Sequence, residues 1–320
     1  MIDLMVPGRP GASEPAGPAW LRGLVRAATA VPAELDLARG LWRPGEHLRH
    51  RVREVMLAVE GVPVPGHLLV PKETQGATIV LARGGATADP VTHGRWVRAL
   101  LERGLVVLTF DLDGHRDNPR PLRVPGLEAD VPAALALARA QPEVDPARVG
   151  LIGFDLGGAC ALHAAARDEG VRAVVTVGSA HRLQLDDWSQ VGEALGLFNP
   201  EVARSWLQGT PALVNAALRT RIRLPDPVPP GDLAAPAVIR AAAEALRHLN
   251  PLDSAAASRA PLLVVHGEWD CLTPAWQAEA LRLRAGGPCE VLLMPRRNHL
   301  TLLLSRQAMA AAAEFLARRV

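Results

Sequence analysis

The 320-residue chain has no tyrosine, one lysine (Lys72) and three cysteines, Cys160, Cys271 and Cys289. Without tyrosine, no phenol is available as a proton donor. The cysteines are odd in number and lack ligand spacing, so they supply neither a disulfide framework nor a zinc site. No metal and no cofactor is expected, and a reducing cytoplasm suits this usage. The chain does not open with a basic segment followed by an apolar core, and no apolar run approaches the roughly 20 residues of a membrane span. Charge is balanced too: 35 basic residues face 33 acidic ones, and the basic residues are scattered. Neither nucleic acid nor a membrane surface is therefore an expected partner. A small-molecule substrate is, while monomer and homo-oligomer both stay open.

What the chain does carry is a repeated alternation of apolar runs and helical patterns, long enough for one α/β domain with an insertion. Residues 1–18 are rich in Pro, Gly and Ala without periodicity and read as a flexible tail. From Ala19 to Arg39, Trp20, Leu21, Leu24, Val25, Leu35 and Leu37 recur near helical spacing around Pro32, which predicts two short helices. Arg51 to Val70 alternates about Gly61, Pro63 and Pro65, the pattern of an antiparallel hairpin at a sheet edge.

The texture then changes. Ala77–Ala82, Leu105–Phe110 and Arg148–Gly153 are apolar on both faces, as strands of a parallel sheet covered by helices must be. Helix Leu156–Arg167 and strand Val171–Val177 follow. Between His181 and Leu249 there is no strand pattern, only helical stretches broken by Pro200, Pro211 and a Pro-rich segment, which predicts an inserted helical cap over 181–249. Strand Pro261–His266, helix Pro274–Arg284, strand Cys289–Met294 and a helix from Ser305 to Arg318 complete the core, assigned to 19–180 and 250–320.

In open α/β sheets functional groups collect at the carboxyl ends of strands. Those ends carry Arg83-Gly84-Gly85, Asp111-Leu112-Asp113-Gly114-His115, Asp155, Ser179-Ala180-His181, Glu268-Trp269-Asp270 and Asn298-His299. The segment Gly153-Phe154-Asp155-Leu156-Gly157-Gly158 has the shape of a nucleophile elbow, Gly-x-nucleophile-x-Gly, in which small residues let strand and helix approach and leave the middle side chain alone on a tight turn. Here the middle residue is Asp155, where Ser or Cys is usual.

On the elbow, on His266-Gly267-Glu268-Trp269-Asp270 and on Asn298-His299, the chain resembles the α/β-hydrolase superfamily, and its dienelactone-hydrolase-like branch most. The resemblance runs from about Val55 to the C-terminus apart from the cap. It implies the order nucleophile, acid, histidine, kept here as Asp155, Asp270 and His299, with Asp270 orienting His299 and His299 acting as general base. It also implies an oxyanion hole from the backbone N–H groups of Leu156 and Gly85.

An Asp nucleophile forms an ester with an electrophilic carbon, which an activated water then hydrolyses. Haloalkane dehalogenases and epoxide hydrolases of this fold work so. The epoxide enzymes protonate the opening ring with tyrosines, which this chain lacks. The dehalogenases carry Trp or Arg just after the nucleophile, where Leu156 stands, so substrate contacts would fall to Arg83 or to cap residues such as Trp188 and Trp206, both of which also read as hydrophobic packing.

Structural alternatives accompany each role. Asp155 suits a helix N-terminus as a mere cap, Asp270 could cap the helix beyond Pro274, and Arg83 is expected to pair with Asp155. The last would leave a catalytically silent, ligand-binding protein. Ser179 and His181 read as the pocket rim, Cys160 as inert core, Asp111, Asp113, His115 and Asp117 as a loop without metal, and His47 and His50 as a solvated helical face.

Overall fold

Strands that alternate and strands that are apolar throughout take up different places in one sheet. In the computed structural model, which describes residues 50–84, 90–115, 117–183, 222–226, 234–270 and 273–320, the alternating segments form β1 (His50–Val59) and β2 (Val62–Pro71). They pair antiparallel at the edge, with Val55, Leu57 and Val59 turned to the core. The remaining strands are β3 (Thr78–Arg83), β4 (Val106–Asp111), β5 (Val149–Phe154), β6 (Val171–Val177), β7 (Leu262–Gly267) and β8 (Cys289–Met294), all parallel to one another. β4, β5 and β7 are buried along their whole length, as continuous apolar strands must be when helices cover both faces.

The helices among the described residues are α1 (Pro90–Leu101), α2 (Asp130–Arg139), α3 (Leu156–Ala165), α4 (Ala234–Leu249), α5 (Pro251–Ala257), α6 (Trp276–Arg284), α7 (His299–Leu302) and α8 (Arg306–Ala317). On one face of the sheet, Trp96, Val97 and Leu100 of α1 and Met309, Ala312, Phe315 and Leu316 of α8 bury against β3, β5 and β6. On the other, α2 to α6 pack over the hairpin and the same sheet. None of the described helices is long and apolar enough to cross a membrane.

The strand order β1-β2-β4-β3-β5-β6-β7-β8 positions the site. From β3 the chain steps outward to β4 and returns to β5 on the other side, so the order reverses between β3 and β5. A crevice opens at such a reversal, outside the carboxyl ends of the two strands. Gly84 and Asp155 are the first residues beyond those ends.

Of the segment read as a cap, α4 is described: Ala245, Leu246 and Leu249 bury in the core, and the Leu249 carbonyl bonds His163 Nδ1 of α3 at 3.2 Å. Ile222, also described, bridges His115. Residues 184–221 and 227–233, like the tail and the helices expected over 19–39, lie outside the described residues. His50 is not on a helical face; it opens β1, paired with Pro71, because the hairpin alternation begins one residue earlier than the pattern suggested.

Candidate active site

Asp155 stands between β5 and α3 with φ 51° and ψ −121°, a backbone state that L side chains rarely adopt. The glycines around it make the turn geometrically feasible. A Cβ on Gly153 would lie 2.2 Å from the Gly157 carbonyl oxygen, and one on Gly157 would lie 2.3 Å from that of Ala82. Both contacts are with backbone, so no rotamer change could relieve them. The carboxylate does not cap the second or third N–H of α3, although the adjacent Leu156 N–H lowers its pKa. Its side chain keeps a quarter of its surface exposed. Burial pushes the Asp155 pKa up, against the lowering pull of His299 and His115.

His299 opens α7, whose start is held by Asn298 Oδ1 accepting from the Thr301 N–H at 2.9 Å. The ring spans two carboxylates. Nδ1 lies 2.9 Å from Asp270 Oδ2, and Nε2 lies 3.9 Å from Asp155 Oδ2. An ionised carboxylate only accepts, so Nδ1 carries the proton shared with Asp270. Burial alone would lower the His299 pKa. The Asp270 charge, its hydrogen bond and the Asp155 charge outweigh burial and lift it to about 9. Burial likewise pushes Asp270 up, but the His299 charge and hydrogen bond, His266 and the Thr273 N–H overcome it, and the net shift is downward. Thus Asp270 does cap the following turn, with Oδ1 accepting from the Thr273 N–H at 2.8 Å, and it binds His299 through the other oxygen.

Arg83 does not pair with Asp155. Its Nε lies 3.1 Å from Asp111 Oδ1 and donates to the Phe110 carbonyl at 3.3 Å. The reason is register: Arg83 ends β3 and Asp111 ends β4, directly beside each other, and the buried Asp111 needs a cation. Among the described residues, the ion pair of Asp155 is with His299. Leu156, the first residue of α3, is buried. Gly85, Trp188 and Trp206 lie outside the described residues.

The Asp-rich loop is an ion-pair cluster. Buried Arg120 reaches Asp130 at 2.9 Å, Asp113 at 3.0 Å and Glu60 at 2.7 Å. Nothing local marks Arg120 or Asp130, which stand 7 and 17 residues beyond Asp113, and sequence reasoning missed both. It also missed Thr273 and His266 beside Asp270. A Thr three residues after the acid was the available signal. Among the described residues, no group of three or more His, Cys, Asp or Glu is arranged to hold a metal ion. Ser179 is not on the rim: it is buried, its Oγ directly over Gly158 in the first turn of α3. Cys160 is buried inside α3.

A mostly parallel sheet that presents a side chain on a strained strand–helix turn, facing a carboxylate-bound histidine from the far end of the chain, defines the α/β-hydrolase class. Residues 79–313 match the Alpha/beta hydrolase family, and the chain belongs to that family. Over 123 residues it is 32% identical to the uncharacterized protein PA2218 of Pseudomonas aeruginosa, a match covering 36% of this chain and 33% of that protein. Over 174 residues it is 26% identical to 2,6-dihydropseudooxynicotine hydrolase of Paenarthrobacter nicotinovorans, covering 52% of this chain and 45% of that enzyme. In both matches the chain spans less than half the length of the relative. The structure of dienelactone hydrolase from Anabaena variabilis shares the fold, with a TM-score of 0.53 at 17% identity over 85% of this chain and 97% of that one.

Proposed function

We propose that the protein hydrolyses a small-molecule substrate, an ester or a compound with an electrophilic carbon, through a covalent intermediate on Asp155. The observation that carries this is the single imidazole set between two carboxylates, hydrogen-bonded to buried Asp270 at 2.9 Å and 3.9 Å from the part-exposed Asp155. In the first step an Asp155 oxygen bonds the electrophilic carbon, and the leaving group departs with its electron pair. An alkoxide leaving group takes its proton from the His299 imidazolium. In the second step neutral His299, its proton given to the alkoxide or, where a halide departs, released to solvent, accepts a proton at Nε2 from water, and the hydroxide adds to the acyl carbon of the enzyme-bound ester or anhydride. Collapse of that adduct releases the product, an alkoxide taking its proton from the His299 imidazolium, and restores the Asp155 carboxylate. Backbone N–H groups of Leu156 and Gly85 would hold the oxyanion. Asp270 orients the ring and stabilises the imidazolium.

The family supports hydrolysis, as does the likeness to the Paenarthrobacter hydrolase. The silent-scaffold alternative required Arg83 to lock Asp155, and Arg83 is engaged by Asp111 instead. In the same proposal the insertion 181–249 forms a cap that offers Trp188 and Trp206 to the substrate, and the protein works in the cytoplasm.

The test is a trap. His299→Gln removes the base of the second step and leaves Asp155 able to attack, so the covalent ester accumulates. Intact-protein mass spectrometry after incubation with haloalkanes, haloacids and activated esters should show an adduct that maps to Asp155. No adduct across the panel, with esterase activity appearing only in Asp155→Ser, would overturn the proposal.

A further inference from the structure

Behind Asp270 lies a second, fully buried hydrogen-bond chain. His266 and Thr273 have no exposed surface. The Thr273 hydroxyl has three neighbours in reach: Asp270 Oδ2 at 2.8 Å, His266 Nε2 at 3.2 Å and the Gly178 carbonyl at 3.4 Å. It has one proton to give, and the His266 tautomer decides where that proton goes. His266 Nε2 is hydrogen-bonded to the Thr273 carbonyl oxygen, which can only accept, so Nε2 carries a hydrogen and cannot itself accept. The opposite tautomer would place an N–H on Nδ1, which is buried without a partner among the described residues. With His266 excluded as an acceptor, the carboxylate wins over the Gly178 carbonyl on both distance and charge.

We propose that Thr273 is a positioning residue of the site, its hydroxyl aimed by His266 so that it shares Asp270 Oδ2 with His299 Nδ1 and thereby sets the basicity of His299. The oxygen receives two donors, 2.8 Å and 2.9 Å away, while Oδ1 is held by the Thr273 N–H. A donor on Oδ2 draws negative charge away from the histidine, so the hydroxyl moderates the pull of Asp270. Among the described residues, the other titratable groups facing the ring are Asp155 from the turn after β5 and, across Asp270, His266 from β7. For catalysis the inference rests on the roles proposed for Asp270 and His299, but its test needs no substrate.

The experiment is an NMR titration of His299 in the full chain, with 15N-labelled histidine. Thr273→Val keeps the shape and removes the hydroxyl; the His299 pKa should rise by about one unit. Thr273→Ser should return it to the wild-type value. Thr273→Ala, which removes the hydroxyl together with the methyl group, should shift it in the same direction as Thr273→Val and gives a second approach should the Val variant fold poorly. An unmoved pKa in the Val and Ala variants, or a Ser variant that behaves like Val, would overturn the inference. Because the readout is the titration of the free protein, a wild type without turnover would count against the proposed hydrolysis and leave this result standing, and the reverse also holds.

Discussion

Replacing Asp155 by Asn should raise the share of neutral His299 at neutral pH by roughly tenfold or more, and the size of that change follows from the geometry. In the free protein His299 titrates at about 9, so at pH 7 it is an imidazolium, and the Asp155 charge is one of the causes. A unit charge 3.9 Å from the ring contributes at most about 4 kcal/mol at an effective dielectric of about 20, equivalent to about three pKa units. Because a quarter of the Asp155 side chain faces solvent, water screens part of this, and one to two units is the expected order. Asn has the shape of Asp and the neutrality of an Asp ester. The His299 pKa in Asp155→Asn should therefore fall toward roughly 7 to 8.

The same fall would occur when Asp155 becomes esterified. Loss of the neighbouring charge would then let the imidazolium that protonates a leaving group give up its proton more readily, enlarging the share of the neutral base needed to activate water. Titration of His299 by NMR in the two proteins decides the matter. A pKa unchanged on Asp155→Asn would refute the reasoning, since it would mean that Asp270 alone sets the protonation of the ring.

Three further outcomes are expected away from His299. Arg120→Met leaves Asp113 and Asp130 buried without their shared cation and should cost about 3–5 kcal/mol in urea unfolding; a loss below about 1 kcal/mol would show that the cluster is inconsequential. In the wild type, burial raises Asp113 to about 6, and burial with the Asp113 charge raises Asp130 to about 8. Raised carboxyl pKa values mean that the folded state holds protons the unfolded state has released, so their stabilising contribution is full below about pH 4 and is lost as pH climbs from there, through about 6 for Asp113 and about 8 for Asp130. Melting temperature should fall over that window, and Asp130→Asn should flatten the slope. Ser179→Ala removes a buried hydroxyl without a partner among the described residues. It should leave stability within about 1 kcal/mol or improve it, with turnover intact; abolished turnover at unchanged stability would instead make Ser179 part of the machinery.

The elements with strong local signatures were readable from the residues alone. A strand buried on both faces must be apolar throughout, which made β3, β4, β5 and β7 visible, and an edge hairpin must alternate, which made β1 and β2 visible. The elbow was legible for the same kind of reason: only glycine fits where a Cβ on residue 153 or 157 would lie 2.2 or 2.3 Å from a backbone oxygen, so the turn leaves its mark in composition.

Partnership is another matter. Arg83 was expected to meet Asp155 because a buried carboxylate needs a partner, yet it meets Asp111, since β3 lies between β4 and β5 and in-register pairing sets the last residues of β3 and β4 side by side. The cluster of Arg120 with Asp113 and Asp130, and the chain from His266 through Thr273 to Asp270, were equally out of reach of spacing rules. A sequence specifies backbone states and apolar faces through short-range sterics and periodic burial. Which charged side chain neutralises which depends on strand order and register, and these are settled only when the whole sheet closes over its core.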